Sequence, residues 1–371
     1  MFSVSARPRV WAAALACAFL GLSLSACGDS SDSGGSGSSG KTIAFLLPQS
    51  GVPRFEKWDK PFFEAKIKAE CPDCKVLYYN AVDEDSARQQ QQAEAALANG
   101  ASVLVIAPVD GEAAKVIADA AAAVNVPVVS YERLVLGSDN VKAFTTHDSI
   151  RVGKVQAESL IEGMTELGHP EGPVLMVNGS PTNTDAADFK KGATDAFNAA
   201  GVKILESFDT PDWDPAKAQA QMEQWITQYG KDGFAGVYAA DGGTAGGVIA
   251  AMQSAGVDPS QHPVTGQDGD LSEIQRILTG DQYMTIFRPL QVEADLAAEA
   301  ALNLLDDKAL PSEFSTEKSN DSGTDVPTAV LPVVAVDKSN IMKELVDTGY
   351  FTVAELCAGD YAAPCAAAGV K

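Results

Sequence analysis

From Lys41 onward the sequence alternates short apolar runs with longer amphipathic stretches, and this alternation constrains the fold more than any other feature. The run Thr42–Leu47 is almost wholly apolar, which is typical of a strand in a sheet covered on both faces. Helical spacing follows, for example over Ser86–Asn99. The alternation restarts near Pro173. Two series of βα units predict an α/β fold with two doubly wound parallel sheets.

Two acidic residues fall at the ends of successive predicted strands. Asp241 follows the predicted strand Phe234–Tyr238, and Asp268 follows a short strand through Val264. In open α/β sheets, ligands bind at the carboxyl ends of the strands. Taken singly, Asp241 could be a turn residue and Asp268 a helix-start residue. Taken together, they favour a ligand site.

The N-terminus has the features of an export signal. Arg7 and Arg9 precede the apolar run Val10–Leu24, which is too short for a membrane span. The run ends in the letters LSAC, which resemble the lipobox of bacterial lipoproteins. This resemblance implies that residues 1–26 are removed and that Cys27 carries a diacylglyceryl anchor. The alternative is a plain signal peptide with a chance cysteine. Gly28–Gly40 has no apolar residue and predicts a flexible linker.

Four cysteines remain beyond the signal and the proposed lipidation site: Cys71, Cys74, Cys357 and Cys365. They allow three pairings, of which we expect the short-range one, Cys71 with Cys74 and Cys357 with Cys365. Cys71 and Cys74 could instead form a redox motif. Such motifs open a helix whose N-terminus lowers the thiol pKa, whereas this pair ends a predicted helix. A structural disulfide is therefore favoured.

Composition and motifs exclude several classes of function. The net charge of −23 disfavours nucleic acid and anionic membranes as partners. His147, His169 and His262 are scattered and do not predict a metal site. No P-loop, GxSxG or HExxH motif is present, and the glycine run Gly242–Gly247 lacks the lysine of a phosphate cradle. The sequence therefore predicts a binding protein without a cofactor rather than an enzyme.

Several segments of the chain match one family pattern. They are Glu56-Lys57-Trp58, Tyr131-Glu132-Arg133, Gly179-Ser180-Pro181, Asp212-Trp213-Asp214-Pro215, Thr244-Ala245-Gly246-Gly247, Gly266-Gln267-Asp268 and Thr285-Ile286-Phe287-Arg288-Pro289. On these segments the chain resembles bacterial periplasmic monosaccharide-binding proteins of the ribose and xylose type, over nearly all of residues 41–351. The resemblance implies a monomer with two lobes joined by three crossings. It assigns residues 41–148 and 289–327 to the N-terminal lobe, and 149–288 and 328–371 to the C-terminal lobe.

The same resemblance implies a set of sugar-binding residues between the lobes. They are Lys57, Trp58, Glu132, Arg133, Asn183, Asp185, Trp213, Asp241, Asp268 and Arg288. Trp58 and Trp213 would stack on the C–H faces of the sugar ring. Carboxylates would accept hydrogen bonds from the sugar hydroxyls, and guanidinium groups would donate to them. Asp185 and Asp241 stand where the family has asparagine, so the identity of the sugar stays open.

Structural interpretations of several of these residues also stay open. Trp213 precedes a helix-cap residue and could act as a hydrophobic staple, and Trp58 could cover the first helix. Arg54, Glu56 and Lys60 are expected to form a solvated face.

The sequence thus predicts a lipid-anchored solute-binding protein at the outer face of the cell membrane, on the cell surface or in the periplasm. It would capture a xylose-like aldopentose or a related hexose by lobe closure and deliver it to an ABC permease and its ATPase. The lipid anchor would be its only membrane contact. The alternatives are a sugar-sensing module that signals to a membrane receptor, and an exported thiol oxidoreductase that uses Cys71 and Cys74.

Overall fold

A computed structural model describes residues 41–316 and 325–371. The signal peptide, the lipidation site at Cys27 and the linker predicted for residues 28–40 lie outside the described residues. Residues 40–371 form one unit. No helix in the described ranges is both long and apolar enough to span a membrane.

The described chain alternates strands and helices much as the apolar pattern predicts. The strands are β1 (Thr42–Leu47), β2 (Lys75–Asn80), β3 (Val103–Ile106), β4 (Val128–Tyr131), β5 (Val141–His147), β6 (Val174–Asn178), β7 (Ile204–Asp209), β8 (Gly236–Ala239), β9 (Met284–Phe287), β10 (Thr328–Leu331) and β11 (Val334–Asp337). The helices are α1 (Lys60–Glu70), α2 (Ser86–Ala98), α3 (Lys115–Ala123), α4 (Ser149–Glu166), α5 (Thr184–Ala200), α6 (Pro215–Tyr229), α7 (Gly242–Ser254), α8 (Leu271–Thr279), α9 (Leu290–Leu305), α10 (Val353–Leu356) and α11 (Ala362–Ala367).

The first lobe is built on a six-stranded sheet in the order β10-β5-β4-β3-β1-β2. Every pairing in this sheet is parallel. Successive residues of β1 face opposite sides, so Ile43 and Phe45 enter one apolar core while Ala44 and Leu46 enter another. Because helices cover both faces, the strand needs apolar side chains at every position. This explains the continuous apolar run in the sequence.

The second lobe has a smaller sheet with β6 at its centre, flanked by β7 and β8 in parallel. Single parallel bridges, Val237 to Val264 and Gln267 to Ile286, extend the sheet to β9. Strand β11 closes it by pairing antiparallel with β9. The two parallel-sheet lobes match the predicted fold class. The antiparallel edge strand is the only departure from parallel pairing in the described part of this sheet.

Three segments connect the lobes, and the third differs from the expectation. The first two crossings lie at Asp148 and at Arg288–Pro289. The sequence predicts a single last strand over Val330–Val336, wholly in the C-terminal lobe. In the structure, β10 instead joins the first sheet and β11 the second, with Pro332 between them. The third crossing therefore lies after Leu331 rather than before residue 328.

The cysteines pair as the short-range scheme predicts, Cys71 with Cys74 and Cys357 with Cys365. Cys71 caps the C-terminus of α1 and donates its backbone N–H to Ile67. The pair therefore lies at the end of a helix, away from the N-terminal position that activates a thiol in redox motifs.

Glycines allow the helices of the second lobe to approach closely. A Cβ atom added at Gly247 of α7 would lie 2.2 Å from the carbonyl oxygen of Pro215, in α6. At the neighbouring Gly246, the nearest atom is Nη1 of Arg276 at 3.4 Å, at the end of a flexible side chain. Of these two glycines, only Gly247 is therefore required for the contact between α6 and α7.

We expect Gly247→Ala to lower the free energy of unfolding by about 1–3 kcal/mol, because the added methyl group forces two backbones apart. Gly246→Ala is the control on the same helix, and it should leave stability unchanged or raise it by about 0.5–1 kcal/mol. Urea denaturation of both variants measures the difference. Equal effects would contradict close helix packing at Gly247.

Candidate functional site

Polar side chains from both lobes converge at the carboxyl ends of the strands. Glu132 and Arg133 follow β4, Asp241 follows β8, and Arg288 follows β9. Asp268 follows the bridged residue Gln267. In a parallel sheet these ends share one edge, and the crossings turn the edges of the two sheets towards each other. The sequence pattern around Asp241 and Asp268 therefore places both residues at the lobe interface.

Twelve residues line a small cavity at this interface. They are Gln49, Val52, Arg54, Phe55, Glu132, Arg133, Phe189, Trp213, Asp241, Gln267, Asp268 and Arg288. The space that they enclose is ≈ 20 Å³, which holds about one water molecule and is too small for a sugar ring. We call this space the inner cavity.

Four side chains form a buried charge cluster across the lobes: Arg54, Glu132, Asp268 and Arg288. Arg288 donates to Asp268 at 2.5 Å and to Glu132 at 3.2 Å. Arg54 lies 3.5 Å from Glu132 and 3.8 Å from Asp268. All four side chains are at most 8% exposed. Because water is excluded, these charges depend on one another for compensation.

The charges of the cluster control the pKa values of its members. Burial opposes ionisation of Glu132, but Arg133, Arg54 and Arg288 hold its pKa at about 2. Burial also opposes the charge on Arg54, yet Asp59, Glu132 and Asp268 raise its pKa well above the ordinary value. Both groups are therefore charged at neutral pH.

Arg54 also contacts acidic residues of the first lobe that lie outside the charge cluster. Asp59 accepts from Arg54 Nη2 at 2.6 Å and from Nε at 3.0 Å. Tyr131 donates its hydroxyl to Asp59. Glu293 lies 3.5 Å from Arg54 and 3.8 Å from His147. Burial raises the pKa of Glu293 well above its usual range, and burial with Arg288 and Arg54 lowers that of His147.

Trp213 is fixed in the second lobe by its backbone and by a glycine. Its φ is 55°, in the left-handed region that bulky residues rarely adopt. A Cβ atom at Gly179 would lie 2.1 Å from the indole, so this position admits only glycine. The side chain is 5% exposed, and its Nε1 has no hydrogen-bond partner among the described residues. The indole is therefore held rigidly with a free donor.

Asp241 has a structural role as well as a place in the inner cavity. Its Oδ1 accepts from the backbone N–H of Thr244 at 2.8 Å and completes a capping box at the start of α7. Burial and the nearby Asp268 raise the pKa of Asp241 to about 6. The helix-cap and ligand-site interpretations are therefore compatible at this residue.

Neither Asn183 nor Asp185 is among the residues that line the inner cavity. The Asn183 side chain accepts from the backbone N–H of Asp185 at 2.8 Å and caps α5. Asp185 lines a separate groove near the first crossing, together with His147. Burial and the charge on Glu132 raise the pKa of Asp185 to about 8.

Lys57 and Trp58 lie away from the inner cavity, contrary to the expectation for both residues. Trp58 packs on Phe62 and Tyr350, with ring centroids 5.7 Å and 5.2 Å away. The Lys57 ammonium lies 4.7 Å from the centroids of the Trp58 and Phe351 rings. Trp58 therefore covers the start of the first helix, which was the alternative interpretation.

The physical reason is the π-helical turn Phe55–Asp59. This turn directs Phe55 and Asp59 inward and leaves Lys57 exposed. Arg54 directly precedes the turn and is 2% exposed, so its predicted place on a solvated face is wrong. Arg54 and Phe55 line the inner cavity instead. In the sequence, this Arg-Phe pair precedes the selected Lys57-Trp58 pair by three residues. Both pairs consist of a basic residue followed by an aromatic one, and this was the signal that could have identified Arg54 and Phe55.

Gln267 is a further residue that sequence reasoning did not select. Its side chain lines the inner cavity and is 2% exposed. Its Oε1 accepts no hydrogen bond from the described residues. Together with the free Nε1 of Trp213 and the free Nε of Arg288, it offers the cavity both donors and acceptors. Among the described residues, no cluster of His, Cys, Asp or Glu is arranged to hold a metal ion.

Comparison with known proteins assigns this architecture to a family. The model of the periplasmic binding protein domain matches residues 43–309. The chain belongs to the periplasmic binding protein family. It is 33% identical over 303 residues to a D-xylose-binding periplasmic protein of Haemophilus influenzae, covering 81% of this chain and 88% of that protein. The members of this family bind solutes and are not enzymes.

Further relatives share the fold. A multiple sugar-binding periplasmic receptor of Rhizobium radiobacter is 30% identical over 291 residues, covering 74% of this chain and 81% of the receptor. The crystal structure of an ABC transporter solute-binding protein from Clostridium phytofermentans with bound β-D-glucose has a TM-score of 0.76 and 25% identity. That match covers 85% of this chain and 100% of the solved chain. The likeness extends over both lobes.

The raised pKa of Asp185 predicts a pH dependence of stability. The folded protein keeps this proton up to about pH 8, whereas the unfolded chain loses it near the ordinary pKa of 3.8. Within this window only the unfolded chain ionises, so the stability that the protonated carboxyl contributes is lost progressively as the pH rises from 3.8 to about 8. We expect Asp185→Asn to melt near the wild-type temperature at about pH 3, where the carboxyl is protonated in both states, and above it at about pH 8.

The matched control is Asp195→Asn, on the same helix, where the carboxylate is 62% exposed and pairs with Lys191. Because an exposed ion pair of this kind contributes little to stability, the melting temperature of Asp195→Asn should stay close to that of wild type. Thermal unfolding at several pH values separates the two variants. A pH-independent effect of Asp185→Asn would contradict the raised pKa.

Proposed function

We propose that this chain captures a neutral monosaccharide, a pentose or a hexose, between its lobes and passes it to an ABC importer. The family is shown by comparison, and relatives are named for D-xylose, for multiple sugars and for bound β-D-glucose. The proposal goes further by assigning a sugar to the inner cavity of this chain.

The observation that carries the proposal is a rigid indole beside buried charged groups of both lobes. Trp213 offers an aromatic face, on which the C–H groups of a sugar ring can pack. Each sugar hydroxyl donates one hydrogen bond and accepts others. Carboxylates such as Asp241 and Asp268 accept from hydroxyls, while Arg54 and Arg288 donate to them. By contrast, the groove lined by Asp185 and His147 has no tryptophan, arginine or lysine among its lining residues.

The size of the inner cavity implies a cycle of opening and closure. At ≈ 20 Å³, the inner cavity has no room for a sugar in this structure, so the lobes must separate to admit one and then close around it less fully than they do here. The three crossings at Asp148, Arg288–Pro289 and Pro332 can act as hinges. A sugar that contacts both lobes only after closure supplies the free-energy difference between the two forms. The importer would then recognise the closed, loaded form.

We further propose that Cys27 anchors the protein to the outer face of the membrane through lipid. The sequence LSAC at residues 24–27 supports this, as does the apolar-free linker of residues 28–40. Such a tether would keep the lobes near the permease.

A second candidate function is sugar sensing. It is favoured by the similarity to a protein named as a multiple sugar-binding periplasmic receptor. In this case the closed form would contact a membrane receptor instead of, or as well as, a permease. Co-purification from membranes with a permease or with a receptor kinase would distinguish these two partners.

Calorimetric titration with a panel of pentoses and hexoses, including D-xylose and D-glucose, tests the proposed function. We expect Trp213→Phe to weaken binding of the preferred sugar about tenfold, because it removes both aromatic area and the Nε1 donor. Trp225→Phe is the matched control, since Trp225 is 4% exposed in the core of the same lobe. It should leave the affinity unchanged. Absence of heat with every sugar, or equal losses in both variants, would overturn the proposal.

The lipid anchor is tested separately with Cys27→Ser. This change removes the sulfur that would carry the diacylglyceryl group, so the protein should move from the membrane fraction to the soluble exported fraction. Sugar affinity should stay the same, because Cys27 is not among the residues that line the inner cavity. Fractionation with mass spectrometry of the N-terminus measures both states. A variant that remains in the membrane fraction would refute lipid anchoring at Cys27.

A further inference from the structure

The two strand ends that carry the second-lobe carboxylates of the inner cavity are joined by side chains as well as by backbone. Among the described residues, β8 pairs with the segment through Val264 by a single bridge, from Val237 to Val264. Two residues further on, the Ala239 N–H donates to the Thr265 hydroxyl at 2.9 Å instead of to a backbone carbonyl. The regular parallel ladder therefore ends before the two carboxylates are reached.

Gln156 of α4 bridges these strand ends with its side-chain amide. Its Nε2 donates to the carbonyl oxygen of Gly266 at 2.9 Å and to that of Ala239 at 3.2 Å. Its Oε1 accepts from the Tyr238 hydroxyl at 3.1 Å. The residue is fully buried. Because a glutamine amide has two N–H donors, both are used, and the amide is fixed at its oxygen as well.

Each bridged carbonyl lies two residues before a carboxylate of the inner cavity. Ala239 precedes Asp241, and Gly266 precedes Asp268. The two carboxylates lie close enough to interact, since burial together with the charge on Asp268 raises the pKa of Asp241 to about 6. Like charges repel each other, so their separation depends on what holds their backbones. A single side chain, Gln156, holds both.

Helix α4 is a firm support for this amide because it packs closely on α5. A Cβ atom at Gly153, three residues before Gln156, would lie 1.9 Å from the carbonyl oxygen of Phe189. The two helix backbones therefore touch at this point, and close packing of this kind leaves little freedom of movement. Phe189 itself lines the inner cavity. The Gln156 amide thus has a fixed position relative to the cavity wall.

We propose that Gln156 is a positioning residue for sugar binding, whose amide sets the separation of Asp241 and Asp268. It is not among the residues that line the inner cavity, so it acts through the two carboxylates. This inference rests on the proposed function, which assigns the sugar to them. Hydrogen bonds from sugar hydroxyls weaken steeply when distance or angle departs from the optimum. A site therefore needs a supporting residue that keeps its acceptors in place.

Gln156→Met tests the proposal, because methionine has a similar length but no amide donor. Neither bridged carbonyl loses its last partner: Ala239 still accepts from the Thr265 hydroxyl, and Gly266 from the Ile286 N–H. We therefore expect the lobe to fold and the preferred monosaccharide to bind about tenfold more weakly, as the acceptors lose their spacing. Calorimetric titration of the whole protein measures the loss.

Asn140→Leu is the matched control. The Asn140 side chain also donates to two backbone carbonyls, those of Ala118 at 3.1 Å and Val126 at 2.8 Å. It directly precedes β5, at the edge of the first sheet opposite to the inner cavity. This variant should lower the melting temperature and leave sugar affinity unchanged. Equal losses of affinity in the two variants would overturn the inference.

A double variant shows whether Gln156 acts through the carboxylates. Asp241→Ser removes one carboxylate, while serine can still cap α7. Residues that act through one another have effects that do not add. Gln156→Met should therefore weaken binding much less in the Asp241→Ser background than in wild type. The same fold-loss in both backgrounds would indicate a general structural effect and overturn the inference.

Tyr238→Phe is a milder variant that decides the matter if Gln156→Met does not fold. It removes only the hydroxyl that donates to Gln156 Oε1, so the amide is held less firmly, and affinity should fall about threefold. Unchanged affinity in Tyr238→Phe would contradict the inference while the proposed function stands. If the wild-type protein binds no monosaccharide, both fail.

Discussion

The mutual compensation of charges across the lobe interface is the interaction on which the closed structure depends. Arg54 and Glu132 belong to the first lobe, Asp268 to the second, and Arg288 to the crossing between them. Each charge would be costly to bury alone, because a low-dielectric interior replaces its water shell poorly. Arg288 contacts acids of both lobes, so this part of the compensation exists only while the lobes are together. Closure and the contacts of Arg288 therefore stabilise each other.

This dependence explains why a neutral, hydroxyl-rich ligand suits the site. When the lobes open, water solvates the charges, and the closed form loses its electrostatic advantage. A sugar can restore compensation on closure, because its hydroxyls donate to carboxylates and accept from guanidinium groups. An anionic ligand would place a further negative charge beside Asp241 and Asp268. The ionisation of Asp241 is already disfavoured, as its raised pKa of about 6 indicates. Under the proposed function, the same groups would select the ligand and govern the conformational equilibrium.

Structural and functional demands coincide at several positions of the cleft. Asp241 caps α7 while lining the inner cavity. Glu132, Trp213 and Asp268 line it with positive φ values of 61°, 55° and 92°. These conformations cost free energy that the surrounding fold must supply. A Cβ atom at Gly179 would overlap the Trp213 indole, so glycine at this position leaves the space that the indole occupies. The cleft is therefore preorganised by the scaffold.

The sequence alone determined the features that depend on local pattern. Continuous apolar runs and helical spacing predict the two α/β lobes, and the carboxylates after β8 and before α8 indicate the ligand-binding edge. Close spacing also favours the observed disulfides, since short loops bring Cys71 near Cys74 and Cys357 near Cys365. The predictions of the lobes and of the disulfides are confirmed, because strand ends, helix ends and short loops are set by neighbouring residues.

Only the tertiary structure decided which charged and aromatic residues face the cleft. Arg54 and Trp58 lie in one short segment, yet the π-helical turn buries the first and directs the second to the aromatic cluster around Tyr350. The apolar run Val330–Val336 is likewise divided between two sheets, because β5 and β9, distant in sequence, supply the pairing partners. Backbone turns and pairings of this kind depend on contacts between remote segments, which local patterns do not contain.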